Sequence, residues 1–209
     1  MNKAKKNIVC QFRVELTEIE PLIWRRIQVP ATYSFWDLHV AIQDSMGWLD
    51  YHLHVFRLRL PRRKKVMGIG IPDDEGVGEV TLPGWEIPIT EYFTEPGKSA
   101  LYEYDFGDGW GHRVLLEGIL LKETGVRYPK CIAGERACPP EDCGGVPGYY
   151  RLLEAIGNPN HPEYQETVAW LKGHAKNYYP YDPNGFDPEQ INFWDPKKRW
   201  RMAFSETGD

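Results

Sequence analysis

Residues 8–17 alternate between apolar and polar positions. Cys10, Phe12, Val14 and Leu16 fall on one side, and Gln11, Arg13 and Glu15 on the other. A period of two is the pattern of a strand with one buried face. Glu20-Pro21 interrupts it, and the apolar character resumes from Ile23 to Val29, which predicts a second strand and an antiparallel hairpin. Within that second strand Ile23, Arg25, Ile27 and Val29 share a face, so Arg25 stands in an apolar row. A guanidinium there must reach water or find a carboxylate.

The period then changes. Ser34 has the character of an N-cap, Asp37 follows three residues on, and Phe35, Leu38, Ile42 and Met46 recur at helical spacing up to Gly47. A third strand is expected over residues 52–60, ending in the basic cluster Pro61-Arg62-Arg63-Lys64-Lys65. Residues 66–90 are rich in Gly, Pro and acids and read as a long, variable surface loop, with a short helix after Thr90. A fourth strand runs over residues 101–105, Asp108-Gly109 marks a hairpin turn, and a fifth continues from Trp110 to Leu121. Residues 122–147 read as loop. Two helices come next. Tyr149, Leu152, Leu153 and Ile156 line the first, and Tyr164, Val168 and Leu171 the second, which stops at Gly173. A last short helix starts at Asp187-Pro188.

This order predicts an α+β fold: a roll-like antiparallel or mixed sheet of about five strands with helices packed on one face. A single domain is expected over residues 8–195, with a flexible N-terminus at 1–7 and a tail at 196–209. Eight Trp, twelve Tyr and eight Phe in 209 residues supply enough aromatic surface for a sizeable core.

Charge and composition narrow the function classes. The net charge of −5 argues against a general DNA-binding surface. No apolar run is long enough to span a bilayer and no leader-like segment opens the chain, so a cytoplasmic protein with free thiols is expected. No GxGxxG or P-loop sequence is present.

The candidate chemistry lies in a few places. His52 and His54, two apart on the expected strand, would point to one face and could converge on a metal ion. Alternatively, one packs and the other is solvated. Asp105 and Asp108 flank a glycine turn with Trp110 and His112 just beyond, a set suited to a metal or an acid–base pair, or simply to fixing the turn. Cys131, Cys138 and Cys143 are spaced C-x6-C-x4-C, which lacks the C-x2-C pair of zinc ribbons. They are read mainly as small hydrophobes, with zinc binding through His112 or His54 as the alternative. Glu141 and Asp142 sit on a proline-stiffened loop and could pair with Arg25 or Arg26, or with a ligand. The basic stretches at 62–65 and 197–201 are surface charge or, as Trp200 among the cations of the second suggests, nucleic-acid contacts.

Taken in order, PLIWRRIQVP, FWDLHVAIQDSMGWLDYHLHVF, YEYDFGDGWGH, YPKCIAGERACPPEDCGGVPGYYRLLEAI and FDPEQIN resemble the plasmid pRi open-reading-frame-three-like family, over about residues 8–195. The resemblance implies a compact α+β roll and an association with plasmids and insertion elements, where some members are described as resolvase-like. Arg25-Arg26 has no adjacent serine nucleophile here, so a resolvase reaction is not expected. The family pattern falls on Trp24, Arg25, Trp48, His52, His54, Asp105, Asp108, Trp110, His112, Glu141, Asp142, Tyr149 and Asp187. That is more polar residues than a core requires, and it points to a shared cleft. The leading expectation is a non-catalytic binding or regulatory module for a protein or nucleic-acid partner. The rivals are a metal-dependent hydrolase that holds a divalent ion on His52, His54, Asp105 or His112 with Glu141 or Asp142 as base, and a domain whose motifs only fix turns.

Overall fold

The structure is a computed structural model and describes residues 6–59, 66–72 and 81–204. The basic cluster at 61–65, most of the acidic part of the 66–90 segment and the two chain ends lie outside the described residues. One mixed eight-stranded sheet organises the chain, in the spatial order β5-β4-β3-β6-β7-β1-β2-β8. Its strands are β1 (Ile8–Leu16), β2 (Trp24–Pro30), β3 (His54–Arg59), β4 (Val66–Gly70), β5 (Thr81–Pro83), β6 (Ser99–Tyr104), β7 (Trp110–Leu121) and β8 (Lys130–Glu135). Among the described residues only the β4–β5 pairing is parallel.

The expected β1–β2 hairpin forms, with Phe12 opposite Ile27 and Val14 opposite Arg25. The long strand β7 joins it to β6, since Leu16 faces His112 and His112 faces Tyr102. One continuous sheet face therefore carries Phe12, Val14, Ile27, Val114, Tyr102 and Phe56, all fully buried. Arg25, His54 and His112 share that face by the same parity.

Helix α1 (Phe35–Met46) packs on this face through Phe35, Leu38 and Ile42. Its start is a capping box: the Asp37 N–H donates to Ser34 Oγ at 3.2 Å and the Ser34 N–H to Asp37 Oδ2 at 2.9 Å. Its end is Gly47 in the left-handed region at φ 85°, whose N–H returns to Gln43 O. Helices α2 (Gly145–Gly157) and α3 (Tyr164–Gly173) pack on each other, and α4 (Pro196–Phe204) lies against α1.

The expectation of about five strands undercounts the sheet. β4 and β5 arise inside the stretch read as a surface loop, and β8 inside the loop before the first helix pair. β4 and β5 are five and three residues long, and β8 follows no period-two pattern, so each is fixed by the strand beside it rather than by its own sequence. Residues 196–204, read as tail, are helical although none of them is buried. That helix docks through aromatic edges, with Phe204 5.5 Å from both Trp36 and Trp85.

Candidate metal centre

Antiparallel pairing brings the start of β3, the end of β6 and the start of β7 to one end of the sheet, with His54 opposite Tyr104 and Tyr104 opposite Trp110. The residues just beyond those ends meet there. His52 lies in the loop before β3, and Asp105 follows β6. Asp142 lies in the loop that leads into α2. The ligand atoms of these three side chains lie within 4.8 Å of one another, the one such group of His, Cys, Asp or Glu found among the described residues. His52 Nε2 is 2.8 Å from Asp142 Oδ1 and 3.6 Å from Asp105 Oδ2. Neighbouring donors around a divalent ion with bonds of about 2.1 Å stand roughly 3 Å apart, so this spacing suits a cation.

Local backbone conformation and hydrogen bonds fix this arrangement. Asp105 and Asp142 both adopt left-handed φ, 55° and 59°. Aspartate tolerates that region better than most residues, at a cost of order 1 kcal/mol. Asp105 Oδ1 accepts the N–H groups of Gly107 (3.0 Å) and Asp108 (3.3 Å), which leaves Oδ2 turned toward His52. Asp108 in turn accepts the Gly144 N–H at 3.1 Å. Its carbonyl oxygen would lie 2.4 Å from a Cβ at Gly145, where φ is +65°, so the Asp-Gly turn can seat on the Gly-Gly loop only without a side chain there. The two acidic motifs are thus two halves of one contact.

Glu141 is the frame of the centre. It is 1% exposed and accepts the Leu49 N–H at 2.6 Å on one oxygen and the Tyr104 hydroxyl on the other. The Tyr104 hydroxyl also accepts the Tyr51 N–H at 3.0 Å. Leu49 and Tyr51 lead to His52, Tyr104 precedes Asp105, and Glu141 precedes Asp142. One carboxylate therefore ties together the three segments that carry the ligands. Burial, and then the Glu141 carboxylate, push the Tyr104 hydroxyl far above its ordinary range, so it stays a donor.

The other candidates are placed elsewhere. His54 does not join His52, because β3 begins at His54 and His52 sits before the strand, where no parity couples them. His54 is buried and stacks on His39 with ring centroids 3.5 Å apart, and burial holds it neutral, well below the usual histidine range. His112 is buried too. Its Nδ1 lies 3.0 Å from Trp110 O and 3.3 Å from Tyr102 O, so it carries the proton and donates, and burial lowers the group to about 4. Trp110 and Tyr149 are core side chains at 1% and 3% exposure.

Cys131, Cys138 and Cys143 form no ligand group with one another or with a histidine among the described residues. Burial raises all three thiols, Cys138 to about 12, which keeps them protonated and poor ligands. The expected pairing of Arg25 or Arg26 with the 141–142 carboxylates does not occur. Arg25 is 2% exposed and donates to the carbonyl oxygens of Ser45, Trp24 and Glu135, with its guanidinium 3.9 Å over the Phe186 ring. Three carbonyls and a ring face satisfy the buried cation without a carboxylate. Arg26 instead forks onto Glu117 at 2.6 and 2.8 Å, partly exposed. Arg26→Ala should cost no more than about 1 kcal/mol in a urea melt; a loss of several kcal/mol would contradict this account.

One residue of the site escaped the sequence reading. His174 caps α3, its side chain is 10% exposed, and its Nε2 is 4.0 Å from Asp142 Oδ2. Its only sequence signal was its position directly after Gly173, where the helix was expected to stop. Beside the centre, Asp142, Cys143, Arg151, Glu163, Glu166 and Trp170 line a cleft of about 330 Å³ between α2 and α3.

The fold is thus an α+β sheet whose acidic Gly-rich motifs converge on a His-Asp-Asp cluster at one sheet end. The chain belongs to the plasmid pRiA4b ORF-3-like protein family, whose model matches residues 8–190. It is 36% identical over 163 residues to the uncharacterized protein y4hQ of Sinorhizobium fredii (strain NBRC 101917 / NGR234), covering 78% of this chain and 80% of that one. It is also similar to a crystal structure of the protein of unknown function MM3350 from Methanosarcina mazei Go1. There the TM-score is 0.77 at 42% identity, covering 89% of this chain and 98% of that one. Among the described residues no helix is long and apolar enough to cross a membrane.

Proposed function

We propose that the protein binds one divalent cation through His52, Asp105 and Asp142 and uses it to act on a small ligand, in the manner of a metal-dependent hydrolase. The observation that supports this reading is the convergence of three ligand atoms within 4.8 Å from three separate segments, framed by Glu141. One imidazole and two carboxylates suit Mn²⁺, Fe²⁺ or Zn²⁺ better than Ca²⁺. Three protein ligands leave positions for water and substrate, and the Asp142 side chain, half exposed, puts those positions toward solvent. Glu141, weighed from sequence as a base, is better read as a positioning residue, since both its oxygens are engaged.

The expected result is one equivalent of Mn²⁺ or Zn²⁺ bound to tag-free protein, with the ion at a hundred times its Kd stabilising the fold by about 2.7 kcal/mol. Asp142→Ala should abolish both effects, and lowering the pH should weaken binding because the ligands must be deprotonated. Calorimetry showing no stoichiometric binding of either ion to the unaltered protein would remove the reading.

A second reading, a binding or regulatory module tied to plasmids or mobile elements, draws on a different feature. A groove of about 640 Å³ between the start of α1 and α4 is lined by Trp36, Trp85 and Trp200, well suited to a partner's side chains.

A further inference from the structure

We propose that His174 is a fixed hydrogen-bond donor to an oxyanion held on the metal, so that the ligand of this centre carries a carboxylate or phosphoryl oxygen. This rests on the metal-centre reading above.

The argument begins with the tautomer. His174 Nδ1 accepts the Lys176 backbone N–H at 3.2 Å, which commits its lone pair. The ring proton of the neutral imidazole is then on Nε2. That N–H faces the centre but stops 4.0 Å short of Asp142 Oδ2, beyond hydrogen-bond length. The Asp142 side chain is meanwhile satisfied on its other oxygen by His52 at 2.8 Å. A donor held this close to the metal's carboxylate, and not spent on it, is placed to reach an atom bound to the metal itself.

The ring has little freedom to do anything else. Its side chain is 10% exposed, with Trp170 at 5.5 Å edge-on and Tyr178 at 4.8 Å between centroids. Because Nδ1 is occupied as an acceptor, Nε2 is the ring nitrogen left to donate. It polarises an oxygen as a hydrogen-bond donor, the role suited to developing negative charge.

Trp170, one wall of the His174 pocket, also lines the cleft between α2 and α3, together with Asp142 and Arg151. The cleft thus opens onto the same carboxylate that would hold the ion. Arg151 supplies a cation for an anionic ligand there, and Glu163 and Glu166 in the same lining oppose one of high charge.

The test uses Mn²⁺-loaded full-length protein titrated by calorimetry with inorganic phosphate and, separately, with acetate. Both probes carry the oxyanion, and whichever depends on His174 names its source. His174→Ala should weaken anion binding at least tenfold while leaving the Mn²⁺ affinity within about threefold. His174→Gln, which keeps an N–H donor, should recover part of the loss, an outcome that a merely structural role would not give. If Mn²⁺ binds normally and His174→Ala leaves the affinity for both anions unchanged, the donor role is wrong and the metal centre stands. If the unaltered protein binds no Mn²⁺, both fail together.

Discussion

Glu141→Ala should destabilise the fold by about 3–5 kcal/mol and abolish the proposed metal binding, although Glu141 is not itself among the proposed ligands. The substitution strands the Leu49 N–H, held now at 2.6 Å, and the Tyr104 hydroxyl in a site 1% exposed. Each orphaned buried donor costs about 1–3 kcal/mol, and the lost side chain leaves a void between the loops. The loss of metal binding follows from connectivity. Leu49 and Tyr51 set the path to His52, and Tyr104 sets Asp105, so without the shared carboxylate the three ligand segments have no common anchor. Glu141→Gln separates the two effects. The amide keeps one acceptor and the volume, and the Tyr104 hydroxyl can rotate to accept, so a cost of about 1–2 kcal/mol is expected. Urea melts of both variants, with and without Mn²⁺, check this. If the alanine variant keeps wild-type stability, Glu141 frames nothing.

Acid should unfold the protein over a range in which most carboxylates are still charged. His54 and His112 are fully buried, and burial lowers both below the ordinary 6.5, His112 to about 4. The folded-state values are depressed for a base, so between pH 6.5 and about 4 the unfolded chain takes up protons that the native chain refuses. Stability is therefore full above 6.5 and falls as pH drops, by about 1.4 kcal/mol per pH unit for His112, with His54 adding to the fall in the same direction. From pH 7 to pH 5 His112 alone should cost about 2 kcal/mol, a sizeable part of the 5–15 kcal/mol that a domain has. Asp37 and Asp44, raised chiefly by burial, work in the opposite direction at the acid end. His54 is surrounded by the rings of Trp36, His39, Phe56 and Tyr102, and neither ring nitrogen has a hydrogen-bond partner among the described residues. His54→Phe should therefore fold, and should make the pH slope shallower. Denaturant melts giving the same stability at pH 7 and pH 5 would contradict the assignment.

The Arg25 and Arg26 pair shows how far parity carries. Alternation correctly sent Arg25 into the apolar face beside Ile27 and Val29. It could not say that the buried guanidinium would be met by the carbonyls of Ser45 and Glu135, because those come from α1 and from β8, 20 and 110 residues away. The same holds for Glu141 and Asp142, adjacent in sequence: one is sealed at 1% exposure and the other half open, and nothing local distinguishes them.

Two features were set by the sequence alone. Local periodicity placed β1, β2, α1, β6, β7 and the α2–α3 pair, because those elements carry their own period, caps and turn residues. The motifs fixed the family, and with it an α+β fold. Tertiary structure decided what periodicity cannot encode. The short strands β4, β5 and β8 exist through their neighbours in the sheet. His52 parted from His54 because the strand starts two residues later than the pattern suggested. His52, Asp105 and Asp142 met, with His174 beside them, because antiparallel pairing brought the start of β3 and the end of β6 to one end of the sheet and Glu141 tied the Asp142 loop there. Contacts made across 37 to 92 residues are settled only by packing, where burial, sterics and hydrogen-bond satisfaction are decided together.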